Sequence, residues 1–182
     1  MNIAKSLLLA VGMSGLPFLA NAEPSAPKGV FVEGAGAEHG TYSATVGALW
    51  LWGWTRDTWA GEVSGISEVW VSHWSARAPA GGRDSFSQIG IQPLLRLRFD
   101  GGNSLWFMEG GVGLSYTDVM YRTQGKQFST KFNFIDSIGV GRSFGPDRKR
   151  EVSLRITHFS NASIKRPNPG ENFLQLRYAI RF

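Results

Sequence analysis

The chain has 182 residues, no cysteine, 19 basic against 14 acidic side chains, and a formal net charge of +5. That length supplies one domain, and the lack of cysteine excludes disulfide bonds and thiolate chemistry. The mild positive charge suits an anionic surface without identifying one, and no feature points to nucleic acid.

The first 22 residues read as a secretory signal peptide. Lys5 supplies the positive start, Leu7 to Val11 open the apolar core, and Ala20-Asn21-Ala22 is a small-x-small cleavage site. Gly12, Gly15 and Pro17 interrupt the run, which is too short to span a membrane. Cleavage after Ala22 leaves 160 residues (182 minus 22), with 18 basic and 14 acidic side chains and a charge of +4. Beyond it no apolar run approaches the roughly 18 residues of a membrane helix.

Eight alternating segments follow, over 29–38, 42–54, 63–75, 86–99, 104–117, 128–144, 150–160 and 172–182. Successive side chains on a strand point to opposite faces. In the second segment Val46, Ala48, Trp50, Trp52 and Trp54 share a face, a stripe that reads as lipid-facing surface rather than a ligand box. In the fourth, Ile89, Ile91, Leu95, Leu97 and Phe99 oppose Gln88, Gln92, Arg96 and Arg98, although Pro93 is an unusual strand residue. In the fifth, Trp106, Met108, Val112 and Leu114 oppose Glu109. In the sixth, Asp136 has the parity of Phe134 and Ile138, which predicts a bulge near it. In the last, Leu174, Leu176, Tyr178, Ile180 and Phe182 oppose Gln175, Arg177 and Arg181.

Compact turns at 100–103 and 145–149 alternate with longer links at 76–85, 118–127 and 161–171. Outer-membrane barrels have short periplasmic turns, longer outer loops and strands that alternate apolar-out with polar-in. The pattern predicts an all-β chain: residues 23–182 form an eight-stranded antiparallel up-and-down transmembrane β-barrel with both termini in the periplasm. A barrel of eight strands fills its interior with side chains, so a pore is not expected. A soluble, lipocalin-like barrel would need the greasy faces inside. The aromatic content, the signal peptide and the terminal Phe182 weigh against it.

Chemistry falls at the end of the seventh segment, where Val152, Leu154, Ile156, His158 and Ser160 share one side. With odd strands running outward, His158 and Ser160 sit at the cell-surface end, on the lipid side. Residues i and i+2 lie roughly 6.5–7 Å apart along a strand, so a histidine can lean toward a serine, take its proton and return it to a leaving group. A third group should orient the imidazole, and Glu171 is the nearest candidate. Lys165 and Arg166, in the following loop, suit either lipid phosphates or solvent. Arg148-Lys149-Arg150 falls on a periplasmic turn, away from substrate. His39 and His73 lack clustered carboxylates, so no metal site is inferred.

The region resembles PagL, the lipid A 3-O-deacylase family of outer-membrane barrels. His158-Phe-Ser160-Asn161-Ala162, Lys165, Pro167-Asn168 and Gly170 carry the resemblance. The Trp-rich segments, Glu109-Gly-Gly-Val-Gly113 and Asn133-Phe-x-Asp136 resemble the family more loosely. The resemblance implies a serine esterase of lipid A or lipopolysaccharide with a His-Ser-Glu triad and no cofactor, releasing a 3-hydroxy fatty acid. By position His158 is the base, Ser160 the nucleophile, and Asn161 assists the oxyanion hole. An ungapped match puts Asn172 at the family's glutamate, with Glu171 one place earlier. Glu171 is the expected third member and Asn172 its alternative. A homodimer stays open, as do two rival readings: a non-enzymatic adhesin or structural barrel, and a phospholipase.

Overall fold

The computed structural model describes residues 26–182, so the expected signal peptide lies outside the described residues. The described chain closes into a barrel of eight antiparallel strands, each hydrogen-bonded to its neighbours in chain order. They are β1 (Gly29–Ala37), β2 (Thr41–Thr58), β3 (Gly61–Arg77), β4 (Arg83–Arg98), β5 (Trp106–Thr117), β6 (Phe132–Phe144), β7 (Arg150–Ser160) and β8 (Glu171–Arg181). β1 closes the wall on β8, from Gly29 opposite Arg181 to Ala37 opposite Phe173.

The side-chain distribution is inverted relative to a water-soluble protein. Val32, Val46, Ile89, Ile91, Ile156, Leu174 and Leu176 are exposed on the outer wall, while Gln92, Arg96, Glu109, Arg155 and Arg177 are buried inside. An apolar exterior around a polar interior is the arrangement of a membrane barrel. A lipocalin-like one would have buried the aliphatic face.

The lumen has two layers. In one, Glu68 bridges Arg155 and Arg177, Glu109 bridges Arg96 and Arg155, and Glu151 binds Arg96 at 2.8 Å. Buried charges persist only when paired in this way. In the other, toward the hairpins opposite the chain termini, Trp70, Trp74, Phe86, Tyr121, Phe128, Phe159 and Phe173 pack edge to face. Tyr121 and Phe128 come from the 118–131 loop, which is tucked into the barrel mouth. The sixth strand therefore begins at Phe132 and not near 128.

The bulge expected at Asp136 does not form. β6 pairs with β5 and β7 without a break, because Asn133, Ile135 and Ser143 already point inward in unbroken alternation. Asp136 simply faces outward. The irregularity lies in β2, whose register with β3 shifts between Leu51 and Thr55. There Trp52 folds over Gly65 and donates its indole N–H to Ser67 Oγ at 2.9 Å. Pro93 is accommodated: β4 keeps its pairing to β3 there, the β4–β5 ladder skips Gln92 and Pro93, and the Gln92 amide donates to the Gly111 carbonyl at 3.1 Å.

Candidate active site

β7 and β8 carry the site at the hairpin end, on the outer wall. The register sets His158 opposite Asn172, and Asn172 Oδ1 lies 2.7 Å from His158 Nδ1. An amide oxygen only accepts, so Nδ1 holds the ring proton and Nε2 keeps its lone pair. The Cε1–Nε2 edge lies against Gly170, where the backbone turns at φ +65°. Ser160, two residues beyond His158, points to the same side, and the Ala162 backbone N–H approaches its Oγ at 3.5 Å. Among the described residues His158 and Ser160 are neighbours without a mutual hydrogen bond. Catalytic contacts of this kind often close only around substrate.

The lumen side of the same two strands is rigid. Phe159, between His158 and Ser160, meets Trp74 edge to face with centroids 4.9 Å apart, and Phe173, next to Asn172, meets the same indole at 4.5 Å. Alternation therefore ties an exterior polar site to an interior aromatic anchor. Trp74 is 1 % exposed, so the strands that present the imidazole have little freedom to shift.

Two expectations from the sequence need correction. Glu171 does not meet His158. It faces the lumen, where its carboxylate accepts from Tyr121 Oη at 2.7 Å and Lys126 Nζ at 2.8 Å. One residue of register changes the face on a strand, and the ungapped match to Asn172 is the one the fold follows. Asn161 is buried and its amide Nδ2 is engaged twice, by Ser129 Oγ at 2.9 Å and the Lys165 carbonyl at 2.8 Å. Its backbone N–H donates to Asn168 Oδ1 at 3.0 Å. Asn161 thus fastens the loop after β7, and its N–H groups are turned away from Ser160. Lys165 and Arg166 expose their side chains on that loop.

Ser129, Tyr121 and Lys126, which reach the ends of β7 and β8 from a distant loop, carried no signal in the sequence. Tyr121 also meets Thr41 Oγ1 at 3.0 Å, and Lys126 bridges Glu171 to Glu38. Burial, together with the adjacent Glu171 carboxylate, raises the Tyr121 phenol above its ordinary value. Burial alone would lower the Lys126 ammonium, but its bonds to Glu171 and Glu38 outweigh this and raise it.

Fold and site together define a small outer-membrane barrel with a serine and histidine on its outer wall. The chain belongs to the PagL family, whose model, described as lipid A 3-O-deacylase, matches residues 40–181. It is 29% identical over 132 residues to a lipid A deacylase PagL of Pseudomonas aeruginosa, covering 71% of this chain and 73% of that one. A lipid A deacylase PagL of Bordetella bronchiseptica is 36% identical over 78 residues, 42% of each chain. The fold is similar to a crystal structure of the outer membrane enzyme PagL, with a TM-score of 0.72 and 23% identity over 85% of this chain and 99% of the other.

Proposed function

We propose that this chain is an outer-membrane serine esterase that removes the ester-linked acyl chain at position 3 of lipid A. The observation that carries this reading is the outward-facing His158, held through Nδ1 by Asn172 beside Ser160. That bond leaves Nε2 as the base. Nε2 takes the Ser160 proton as Oγ attacks the ester carbonyl. The oxyanion is met by the Ala162 N–H, which already points at Ser160 Oγ from 3.5 Å. One such donor is worth about 3–4 kcal/mol in the transition state. The imidazolium then returns its proton to the departing sugar oxygen, leaving an acyl-enzyme. Water, deprotonated by His158, releases a 3-hydroxy fatty acid, and lipid A leaves one chain shorter.

Odd strands running outward from a periplasmic amino terminus put residues 158–160 at the outer leaflet, where lipid A reaches the site sideways. Lys165 and Arg166 then lie at headgroup height for its phosphates. Cleavage of the signal peptide after Ala22 fits this export route.

Mass spectrometry of lipid A incubated with the detergent-purified protein tests the reading. Wild type should remove one hydroxyacyl mass and Ser160→Ala none. Loss with both proteins would take Ser160 out of the reaction. Loss with neither, from folded samples, would favour a binding barrel.

A further inference from the structure

We propose that the outer wall carries a second lipid site, apart from His158 and Ser160, where Arg77 and Arg83 hold the phosphate of a lipid A molecule that is not cleaved. The inference rests on the reading that the hairpin ends of the strands stand in the outer leaflet.

At the β3–β4 hairpin Arg77 lies directly opposite Arg83. Like charges so paired repel. Among the described residues neither forms an ion pair: Glu38 is bound by Lys126 at 3.3 Å, and Asp84 has the other parity, opposite the buried Ala76. Both guanidinium groups converge on Gly40. Arg83 Nη2 donates to its carbonyl at 3.0 Å, and Arg77 Nε would stand 3.3 Å from a Cβ there. Arg83 is held in place, donating through Nε to Ser75 Oγ at 2.8 Å and lying over the Tyr42 ring at 5.3 Å from its centroid. Two guanidinium groups brought together without a carboxylate suit a phosphate, whose oxygens they can bind in pairs.

Two rows further into the membrane the wall is concave. Gly34 pairs with Ala44, Ala44 with His73, and His73 with Ser87. Gly34 and Ala44 floor a groove of about 970 Å³ whose sides include Val32, Val46, Val71, Ile89 and Leu176. A Cβ at Gly34 would meet nothing within 4 Å. His73 Nδ1 lies 3.4 Å from Ser87 Oγ and puts a polar step between the arginines and the groove. Phosphate, polar linkage and acyl chain follow one another in lipid A, and cation, polar pair and apolar groove follow one another here. An acidic phospholipid has the same order, but this end of the barrel stands among lipid A. The His73–Ser87 pair is no second catalytic centre, because the Ser87 N–H is spent on Asp118 Oδ1 at 3.0 Å and cannot meet an oxyanion. β3 is also four strands from β7 around the closed wall, roughly 19 Å at about 4.8 Å per strand.

Native mass spectrometry of the detergent-purified full chain, titrated with diphosphorylated lipid A, counts the molecules that stay bound. Ser160→Ala should carry two. In that background the Arg77→Ala/Arg83→Ala pair should weaken the second binding event about tenfold or more, as expected for lost charge-assisted hydrogen bonds. Gly34→Leu, which fills the groove without meeting the protein, should do the same. With Ser160 restored, both sets of variants should hydrolyse lipid A with wild-type kcat and KM. One lipid A on Ser160→Ala overturns the proposal, as does a second molecule kept at full affinity by either variant. A raised KM also overturns it, since one substrate molecule would then span both places. Phosphatidylglycerol displacing the second molecule as well as lipid A does would overturn it too, because the occupant would be any acidic lipid. Absence of hydrolysis by wild type overturns the esterase reading alone, and the count of bound molecules decides the second site.

Discussion

At the scale of single residues, Gly170 is a position of the site that admits no side chain. Its φ of +65° belongs to the left-handed region, and a Cβ there would stand 2.5 Å from His158 Cε1 and 3.1 Å from Nε2. Alanine would be strained in the backbone and would push the His158 ring, the proposed base, away from its place beside Ser160. Misplacement of a catalytic group by about 1 Å can cost on the order of a hundredfold in rate. Gly170→Ala should therefore lose about that much turnover on lipid A while keeping the mobility of the folded barrel on a gel. Wild-type turnover would show that the ring has room to move. His158 and Ser160 were legible in the sequence because parity along β7 put both on the apolar face. The partner of His158 was legible only as a pair of adjacent residues. Choosing between Glu171 and Asn172 depends on where β8 begins, and the loop before it sets that point to a single residue. Asn161 was misread for another reason: its partners, Ser129 and the Lys165 carbonyl, lie in loops whose paths alternation does not describe.

At the scale of elements, the 118–131 loop plugs the barrel mouth and binds the site strand from inside. Tyr121 donates to Glu171, the residue before Asn172, so the loop and the histidine's partner share one strand end. The Tyr121 phenol is raised above its ordinary value of 10.0, first by burial and then by the Glu171 carboxylate. The fold thus favours the neutral phenol. Its contribution is fully present below the unfolded value and is lost as pH climbs toward the raised one. A spectrophotometric titration in base should contain a tyrosine component that ionises only as the plug loosens, and Tyr121→Phe should remove that component alone. If the variant's titration matches wild type, the hydroxyl is not held as described. The strands themselves were readable to within a few residues because a period of two is imposed by lipid on one side and a polar lumen on the other. The plug was not. Phe128 continues the alternation of β6 in sequence, yet in space it turns into the lumen to pack on Tyr121.

For the whole molecule, the barrel separates what holds it together from what performs the reaction. The charge network sits inside and the site outside, with Glu151 of the network near the other end of β7 from His158. Glu151 lies seven residues from His158, roughly 23 Å at about 3.3 Å per residue. It is bound by Arg96 at 2.8 Å and by Arg181 at 3.3 Å, with the Ser143 hydroxyl also at 3.3 Å. Removing its carboxylate takes the counter-charge from Arg181 and leaves Arg96 with Glu109 alone, and breaking a buried pair typically costs about 3–5 kcal/mol. Glu151→Ala should therefore lower the unfolding free energy of the lipid-reconstituted barrel in urea by an amount in that range, and its midpoint with it. Below the transition its lipid A turnover should match wild type. Ser160→Ala should do the reverse, abolishing turnover with the midpoint unchanged, since the buried Ser160 hydroxyl meets only the Ala162 N–H and holds no lumen partner. If Glu151→Ala slows the chemistry in fully folded protein, the two ends of β7 are coupled through the wall, and the aromatic layer around Trp74 is the element that joins them.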